Sequence, residues 1–377
     1  ISTNKIDDLI AKRLPNSLSE YSTIYKYLDR LSFTTTLDLN IKIDAFIICV
    51  PTPLNEHGSP DLQFVECAFK YISSIDYTNS IISLESTVYP GCTRFYASKY
   101  LDISKCKIAY SPEREDPGNQ QFGIINIPKL ISSFEPDHLN EVNAFYSSFI
   151  KKTIPVSSLE VAEFAKLLEN TQRAVNISLM NELKQFSNHL GIDIFEVIEA
   201  ASTKPFGFTK YTPGPGIGGH CIPIDPSYLS WAARKHGYYL DFIDQSAKVN
   251  AKMPNYILLT VTSVCAKKSI DISKCTALFI GLAYKPNIED SRSSPAHKIV
   301  LSLKNYFSEF YTLDPYCFLD TCNCISTLDQ LPNNSNEIIT FILTDHDNVL
   351  YDQLPLISRL IFDSRGRFPI SDTVIRI

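Results

Sequence analysis

The feature that most constrains the fold is an alternation of short apolar runs with helical patterns along the chain. The first clear runs are AFIICV (45–50), SIISLE (80–85) and KIAY (107–110), and each ends in polar or proline residues. Runs of this length separated by helices are typical of buried parallel strands. The sequence therefore predicts an α/β protein with a doubly wound parallel sheet in its first domain.

Polar side chains follow each of these strands. Thr52 comes after the first run, Ser86 and Thr87 after the second, and Glu113 after the third. Ligands of open α/β sheets bind beyond the carboxyl ends of the strands. We therefore expect one ligand site at this edge of the sheet, although each residue alone could be an ordinary strand-end residue.

A long helical pattern follows, and a second α/β region follows that. Ser157 and Glu160 form a capping-box pattern and Gly191 is a plausible stop, which predicts a helix of roughly 45 Å. Such a helix is suited to joining two domains or two subunits. Runs beginning with ALFIGLAY (277–284) predict a second doubly wound domain. The expected division is 1–155, 156–265 with a helical dimerisation region, and 266–377.

Composition excludes several classes of protein. The net charge of −6 comes without a basic tract, which argues against a nucleic-acid partner. No apolar run reaches the length of about 18 residues that a membrane span needs. Ten cysteines scattered in apolar stretches suit reduced thiols in the cytoplasm. For Cys317, Cys322 and Cys324 a surface loop with free thiols is favoured over a zinc site.

The segment GPGIGGHCIPIDP (214–226) contains G-x-G-x-x-G, the dinucleotide-binding pattern. That pattern needs a strand before it and a helix directly after it, whereas FTKYTP precedes it and Pro223 and Pro226 should break a following helix. The alternative is a rigid loop that presents Cys221 as a nucleophile. Cys221 could also simply fill space, and neighbouring His220 is not assigned as its base.

A second pair of polar residues lies on the long helix. Lys166 and Asn170 are four residues apart and hence on one face. A cation and an amide donor that project together could stabilise an oxyanion, although a solvated lysine is the ordinary explanation.

Taken together, these stretches resemble the UDP-glucose/GDP-mannose dehydrogenase family. The matching segments include VPTPLNEHGSPDL, ESTVYPGCT, YSPEREDPGN, EVAEFAKLLENTQRAVNISLMNEL, the glycine loop and GLAYKPNIEDSRSSPA. SPEREDPG and PGPGIGGHCIPIDP are similar to the branch acting on UDP-N-acetylhexosamines, with UDP-N-acetylglucosamine the best match. The resemblance implies oxidation of the sugar C6 alcohol to a carboxylate with two NAD+ and one water, for a precursor of surface polysaccharide. The long helix favours a homodimer.

The resemblance also implies the roles of individual residues. Cys221 would form a thiohemiacetal and then a thioester, and Asp225 would serve base and water chemistry. Lys166 and Asn170 would position substrate and stabilise oxyanions, while Glu113 and Thr87 would handle the hydrolytic water. Cofactor contacts are expected at Val50, Pro51, Thr52, Ser86, Thr87 and Arg292. Substrate contacts are expected at Glu113, Arg114, Lys166, Asn170, Phe208, Tyr211, Gly214, Gly218, Lys285 and Arg365.

The sequence departs from the family pattern at its beginning. No G-x-G-x-x-G precedes residue 40, and ISTNKIDDLI resembles the stretch just after the family's second strand. The expectation is an N-terminal domain that lacks its first βαβ unit and a chain that by itself binds NAD poorly. The alternatives to UDP-N-acetylglucosamine are UDP-ManNAc, UDP-GalNAc or UDP-glucose as substrate, or an inactive remnant that only binds sugar nucleotide or dimerises.

Overall fold

The computed structural model describes residues 3–11, 26–35, 41–116, 119, 121–319, 322–331 and 337–377. They divide into two compact units, Ile1–Lys166 and Leu167–Ile377. The expected three-part division at 155 and 265 remains a prediction, since compactness separates only these two bodies. Among the described residues, no helix is both long and apolar enough to cross a membrane.

The sheet of the first unit runs β1-β2-β3-β4-β5 in space, in the same order as in the chain. The bounds are β1 Ala45–Ile48, β2 Ile81–Leu84, β3 Lys107–Tyr110, β4 Lys129–Ser133 and β5 Thr153–Pro155. The first three strands are parallel and match the predicted runs, whereas β4 pairs with β3 in the antiparallel direction. The carboxyl ends of β1, β2 and β3 therefore lie at one edge, as the sequence predicts.

Within the described residues of this unit, four helices precede the long helix. They are α1 Thr3–Ile10, α2 Gln63–Ser73, α3 Cys92–Tyr100 and α4 Leu139–Ser147. Helix α4 packs its buried Val142 and Tyr146 against Ala109 and Ile131 of the sheet, in an apolar cluster that excludes water.

The long helix, α5, spans Leu159–Leu190 and confirms the predicted element. It begins one residue later than predicted, because the hydroxyl of Ser158, not Ser157, accepts the Val161 N–H at 3.3 Å. Gly191 follows at φ +71°, a left-handed conformation that glycine adopts without strain. Glu163, fully buried on this helix, accepts the N–H groups of Gly91 at 2.6 Å and Thr93 at 2.9 Å, and burial raises its pKa to about 7.

The sheet of the second unit is entirely parallel, in the order β11-β10-β9-β6-β7-β8. The bounds are β6 Thr276–Ile280, β7 Glu309–Leu313, β8 Asn323–Ile325, β9 Ile338–Ile342, β10 Ser358–Asp363 and β11 Val374–Arg376. The order reverses beside β6, which makes this a doubly wound sheet with a switch point between β6 and β9. The α/β class with Rossmann-like sheets is thus confirmed, although the short edge strands β8 and β11 gave no clear sequence signal.

The described part of the second unit contains five more helices. They are α6 Ile194–Ser202, α7 Asp225–Lys235, α8 Asp241–Lys267, α9 Pro295–Leu303 and α10 Leu354–Ile357. The core of this unit joins α8 and α9 to one face of the sheet through a large apolar cluster that includes Ile257, Val261, Phe279 and Phe341.

The cysteine cluster near residue 320 does not form the expected surface loop. Cys317 is buried in the core, and Cys324 lies in β8 with its Sγ 3.3 Å from the Thr312 hydroxyl. No group of metal-ligating side chains occurs in the ranges that the structure describes. The apolar surroundings of Cys317 raise the pKa of its thiol to about 12.

Lys184 on α5 is a fully buried cation, with 0% of its surface exposed. Its Nζ has no hydrogen-bond partner among the described residues. Burial lowers its pKa to about 7, partly opposed by the charge of Asp363. Burying an unpartnered amine is unfavourable, so Lys184 should cost the folded state stability.

We expect Lys184→Met to raise the stability of the protein at pH 7 by about 1–3 kcal/mol, because it removes a buried polar group that lacks a partner. The unfolded lysine, with an ordinary pKa of 10.5, binds a proton that the folded one releases above about pH 7. Wild-type stability should therefore rise between these values, and the advantage of the variant should shrink there. Thermal unfolding at pH 6, 8 and 10 measures this, and exposed Lys267→Met is the control. Equal gains from both variants would contradict the expectation.

Candidate active site

The glycine loop ends in a tight turn that carries Cys221. The Cys221 carbonyl accepts the N–H of Ile224 at 3.1 Å and of Asp225 at 2.9 Å, while its side chain is exposed. Helix α7 begins at Asp225 with Pro226 in its first turn, so the expectation that these prolines prevent a helix is wrong. Proline is tolerated there because its missing N–H would have no partner in the helix. Residues 203–213, all described, contain no strand before the glycines, so the dinucleotide-binding interpretation of this loop lacks its required setting.

Asp225 is joined to the long helix. It is 2% exposed, and its Oδ2 accepts the amide of Asn170 at 2.5 Å. The structure thus brings together two predicted site residues that are far apart in sequence. Because Asp225 N–H binds the Cys221 carbonyl, the same contact also fixes the cysteine turn against α5.

The glycines before Cys221 are required by packing within the protein. A Cβ on Gly218 would lie 2.7 Å from Cβ of Tyr284 and 3.0 Å from Pro295. A Cβ on Gly219, at φ +89°, would lie 3.0 Å from the Tyr284 ring. The Gly219 N–H also donates to the Arg292 carbonyl at 3.0 Å. The sequence had suggested close approach to a bound molecule, but here the close neighbour is the chain itself.

A cavity of about 630 Å³ opens beside this loop in the second unit. Its charged lining residues are all cationic: Arg173, Lys210, Lys285 and Arg365. Predicted substrate residues Tyr211, Gly214 and Gly218 also line it, whereas Phe208 does not. A concave site that concentrates positive charge suits a phosphate-bearing ligand.

Arg365 is held rigidly at the floor of this cavity. Its Nε donates to the Leu343 carbonyl at 2.7 Å and its Nη2 to the Thr344 hydroxyl at 3.4 Å. Its Nη1 lies 3.0 Å from where a Cβ on Gly214 would be, so a larger residue there would have to displace the guanidinium. Burial lowers the pKa of Arg365 from its ordinary value, yet an arginine remains charged at physiological pH.

An asparagine pair that the sequence analysis missed fixes the loop at Gly214. Asn181 on α5 accepts the Gly214 N–H at 2.9 Å through its Oδ1 and donates through Nδ2 to Asn250 at 2.8 Å. Asn250 in turn donates to the Ser178 hydroxyl. Asn181 is fully buried, so these bonds orient the loop without competition from water. The sequence did hold a signal for this contact: Ser178 and Asn181 are polar at positions of α5 where the helical pattern predicts buried apolar residues.

The first unit holds the other predicted residues at the carboxyl ends of its strands. Ser86 Oγ donates to the Val50 carbonyl at 2.7 Å, which joins the segment after β2 to the segment after β1. Thr52 is buried and Pro51 is exposed beside it. These neutral donors and acceptors suit the ribose hydroxyls and carboxamide of NAD, and Thr87 follows directly in the same segment.

Glu113, after β3, is held by several donors. Its Oε1 accepts the N–H groups of Arg114 at 2.7 Å and Glu115 at 2.9 Å, and its Oε2 accepts Lys129 Nζ at 3.2 Å. The Arg114 guanidinium is turned back to the Pro128 carbonyl at 2.7 Å. Lys129 was absent from the residues predicted from sequence.

For the remaining predicted residues, the described contacts do not link them to the residues above. Lys166 is buried at the end of the first unit, 8% exposed. Arg292, exposed in the second unit, forms a two-pronged ion pair with Asp290, with its Nη2 2.6 Å from Oδ2. Burial lowers the pKa of His220, which suits a neutral imidazole next to Cys221.

The first unit carries polar groups at the carboxyl ends of its parallel strands, and the second unit carries a cationic cavity. Both are typical nucleotide sites of α/β proteins, so the protein belongs to the class of nucleotide-binding α/β proteins. Three family models match the chain: the NAD binding domain over residues 1–150, the central domain over 160–252 and the UDP binding domain over 278–368. The chain belongs to the UDP-glucose/GDP-mannose dehydrogenase family. It is an NAD-dependent oxidoreductase of the nucleotide-sugar dehydrogenase type.

Individual relatives agree with this assignment. UDP-N-acetyl-D-glucosamine 6-dehydrogenase of Pseudomonas aeruginosa is 36% identical over 299 residues, which cover 77% of this chain and 70% of the relative. UDP-N-acetyl-D-mannosamine dehydrogenase of Pyrococcus horikoshii is 31% identical over 347 residues, or 90% of this chain and 78% of the relative.

Solved structures are similar over nearly the whole chain. The structure of UDP-D-ManNAc dehydrogenase from Pyrococcus horikoshii has a TM-score of 0.87 at 27% identity and covers 99% of this chain and 91% of that one. UDP-N-acetyl-mannosamine dehydrogenase Cap5O from Staphylococcus aureus has a TM-score of 0.80 at 26% identity, covering 100% and 90%.

We expect Gly218→Ala to destabilise the protein by about 1–3 kcal/mol, because its Cβ would overlap Tyr284 and force the loop away. Displacing the loop should also change the rate at which Cys221 reacts with a thiol reagent. Gly123→Ala is the control, since a Cβ there meets nothing within 4 Å. Thermal unfolding and the labelling rate of Cys221 measure the two effects. An unchanged labelling rate would contradict the proposed packing role.

Proposed function

We propose that the protein oxidises the C6 hydroxyl of a UDP-N-acetylhexosamine to a carboxylate, with UDP-N-acetylglucosamine as the substrate. The observation that carries the proposal is the cavity of about 630 Å³ lined by four cations beside the Cys221 loop. A pyrophosphate would be recognised by such a set, and the sugar would extend toward the loop. The relatives named UDP-N-acetyl-D-glucosamine 6-dehydrogenase and UDP-N-acetyl-D-mannosamine dehydrogenase support this substrate class. The product would supply surface polysaccharide synthesis.

Cys221 is the proposed nucleophile. Its exposed side chain stands on a turn fixed by two hydrogen bonds, which favours a defined direction of attack. When bound, NAD+ serves as the hydride acceptor for both oxidations. Cys221 would add to the C6 aldehyde as a thiohemiacetal and would then carry the acyl group as a thioester, which water hydrolyses.

Asn170 and Asp225 form the supporting pair of this proposal. The Asn170 amide orients the Asp225 carboxylate at 2.5 Å, so Asp225 would accept a proton in a fixed geometry. Lys166 would stabilise oxyanions by its charge. Glu113 and Thr87 would act on the hydrolytic water, and Lys285 and Arg365 would hold the nucleotide.

The test is NADH production with UDP-GlcNAc, UDP-ManNAc, UDP-GalNAc and UDP-glucose. This chain and an N-terminally extended form are compared with Cys221→Ala in the same form. We expect two NADH for each UDP-GlcNAc consumed and a loss of turnover in the variant of at least about 10³-fold. Faster turnover of another sugar would replace the assigned substrate. No NADH from either form with any sugar would favour a remnant that only binds nucleotide.

We also propose that the protein is a homodimer that forms through α5. Leu179, Leu183, Phe186 and Leu190 are 40–61% exposed and recur at a spacing of three and four residues. Phe242, 76% exposed, lines a groove with Leu179 beside this stripe. A contiguous exposed apolar stripe marks an interaction surface, and a second copy of the same stripe is its matching occupant.

Leu183→Asp is expected to shift the protein from dimer to monomer, because two copies of a buried charge would face an apolar surface. Leu356→Asp is the control, since Leu356 is 85% exposed on α10 and lies outside the stripe. Sedimentation velocity at matched concentrations measures the mass of each variant. A dimer that survives Leu183→Asp would exclude the stripe as the interface.

A further inference from the structure

Lys129 lies between two carboxylates in the first unit. Its Nζ is 3.0 Å from Glu85 Oε2 and 3.2 Å from Glu113 Oε2, and it also donates to the Pro112 carbonyl at 3.4 Å. The side chains of Lys129 and Glu85 are 8% and 9% exposed, whereas that of Glu113 is 41% exposed. The lysine therefore joins a buried carboxylate to one that reaches solvent.

The fold places this lysine by one uncommon feature. Lys129 is the first residue of β4, the strand that runs antiparallel to β3. Because of this reversal the amino end of β4 lies near the carboxyl ends of β2 and β3, where Glu85 and Glu113 follow their strands. A parallel strand would have placed its amino end at the opposite edge.

The bonds of the two carboxylates differ. Glu85 takes a second donor from the buried Tyr146 hydroxyl, at 2.6 Å, so it is satisfied on both oxygens within the core. Glu113 accepts two backbone N–H groups on Oε1, and within the described part of the chain its Oε2 accepts Lys129. Among the described residues, Lys129 is thus the side chain that sets the rotation of the Glu113 carboxylate.

We propose that Lys129 is a positioning residue for the hydrolytic half of the reaction, through its ion pair with Glu113. This inference rests on the proposed function. In that step water adds to the acyl carbon of the Cys221 thioester, the C–S bond breaks, and the sugar carboxylate and the Cys221 thiol are released. One water proton passes to the Glu113 carboxylate and then to solvent, the other protonates the departing Cys221 thiolate, and the negative charge leaves on the carboxylate product. No oxidant is needed.

The competing explanation is that Lys129 only neutralises buried Glu85. Lys129→Met alone leaves Glu85 uncompensated and is expected to lower the Tm, so it does not separate the two explanations. The double variant Glu85→Gln, Lys129→Met removes both charges of the buried pair and keeps an acceptor for Tyr146. It leaves Glu113 as the carboxylate that loses its lysine, together with the weaker contact from Lys129 to the Pro112 carbonyl.

The experiment uses the form of the chain that turns over UDP-sugar in the assay above. Stopped-flow NADH formation and intact-mass analysis are run on wild type, the double variant, Lys129→Arg and Tyr146→Phe, with Tm recorded for each. For the double variant we expect a Tm near that of wild type, a burst of two NADH for each subunit, steady-state turnover lowered roughly 10²-fold, and an acyl adduct on Cys221. Lys129→Arg should keep turnover within about tenfold of wild type, because it keeps the cation.

Tyr146→Phe separates a general loss of stability from the specific effect, since Tyr146 touches Glu85 and not Glu113. It is expected to lower the Tm without a burst or an adduct. Wild-type turnover in the double variant would overturn the positioning role of Lys129 and leave the proposed function standing. An adduct in Tyr146→Phe as well would have the same consequence. Absence of NADH from the wild-type chain with every sugar would overturn the proposed function, and this inference with it.

Discussion

The close approach of the glycine loop to the segment after β6 is the constraint on which the candidate site depends. A Cβ on Gly218 would lie 2.7 Å from Tyr284 Cβ and 3.0 Å from Pro295, and Gly219, at φ +89°, lies against the Tyr284 ring. This packing aligns the loop with the cavity on one side, and the turn at Cys221 then leads directly into α7. Cys221, the cationic cavity and the start of α7 are therefore positioned by one close packing contact.

The charges of the two units follow different rules. Around the cavity of the second unit all the charged lining residues are cationic, which suits a ligand that carries phosphate charge. In the first unit Glu85 and Lys129 are buried as a pair, since an isolated charge there would be far more costly than a paired one. Lys184 is buried without a hydrogen-bond partner among the described residues, unlike Lys129. Burial therefore lowers its pKa.

Much of the architecture could be predicted from sequence, because apolar periodicity and the length of the runs reflect burial directly. The three parallel strands of the first sheet, the long helix and the second sheet all occur where the pattern indicates them. The errors are local. The cap at Ser158 instead of Ser157 depends on which hydroxyl meets the helix, and Pro226 begins α7 because a first-turn proline has no N–H to lose. Neither detail is fixed by the pattern of residue types.

The sequence by itself determined the α/β class, the cysteine loop and the family resemblance, because these depend on residues that are neighbours in the chain. Only the tertiary structure decided that Asn170 holds Asp225, that Asn181 orients Gly214, and that Lys129 holds Glu113. These pairs join elements that are distant in sequence and come together only once helices and strands pack. The antiparallel direction of β4 is the clearest example. It places Lys129 beside Glu113, and no local sequence pattern around Lys129 specifies the direction of the strand.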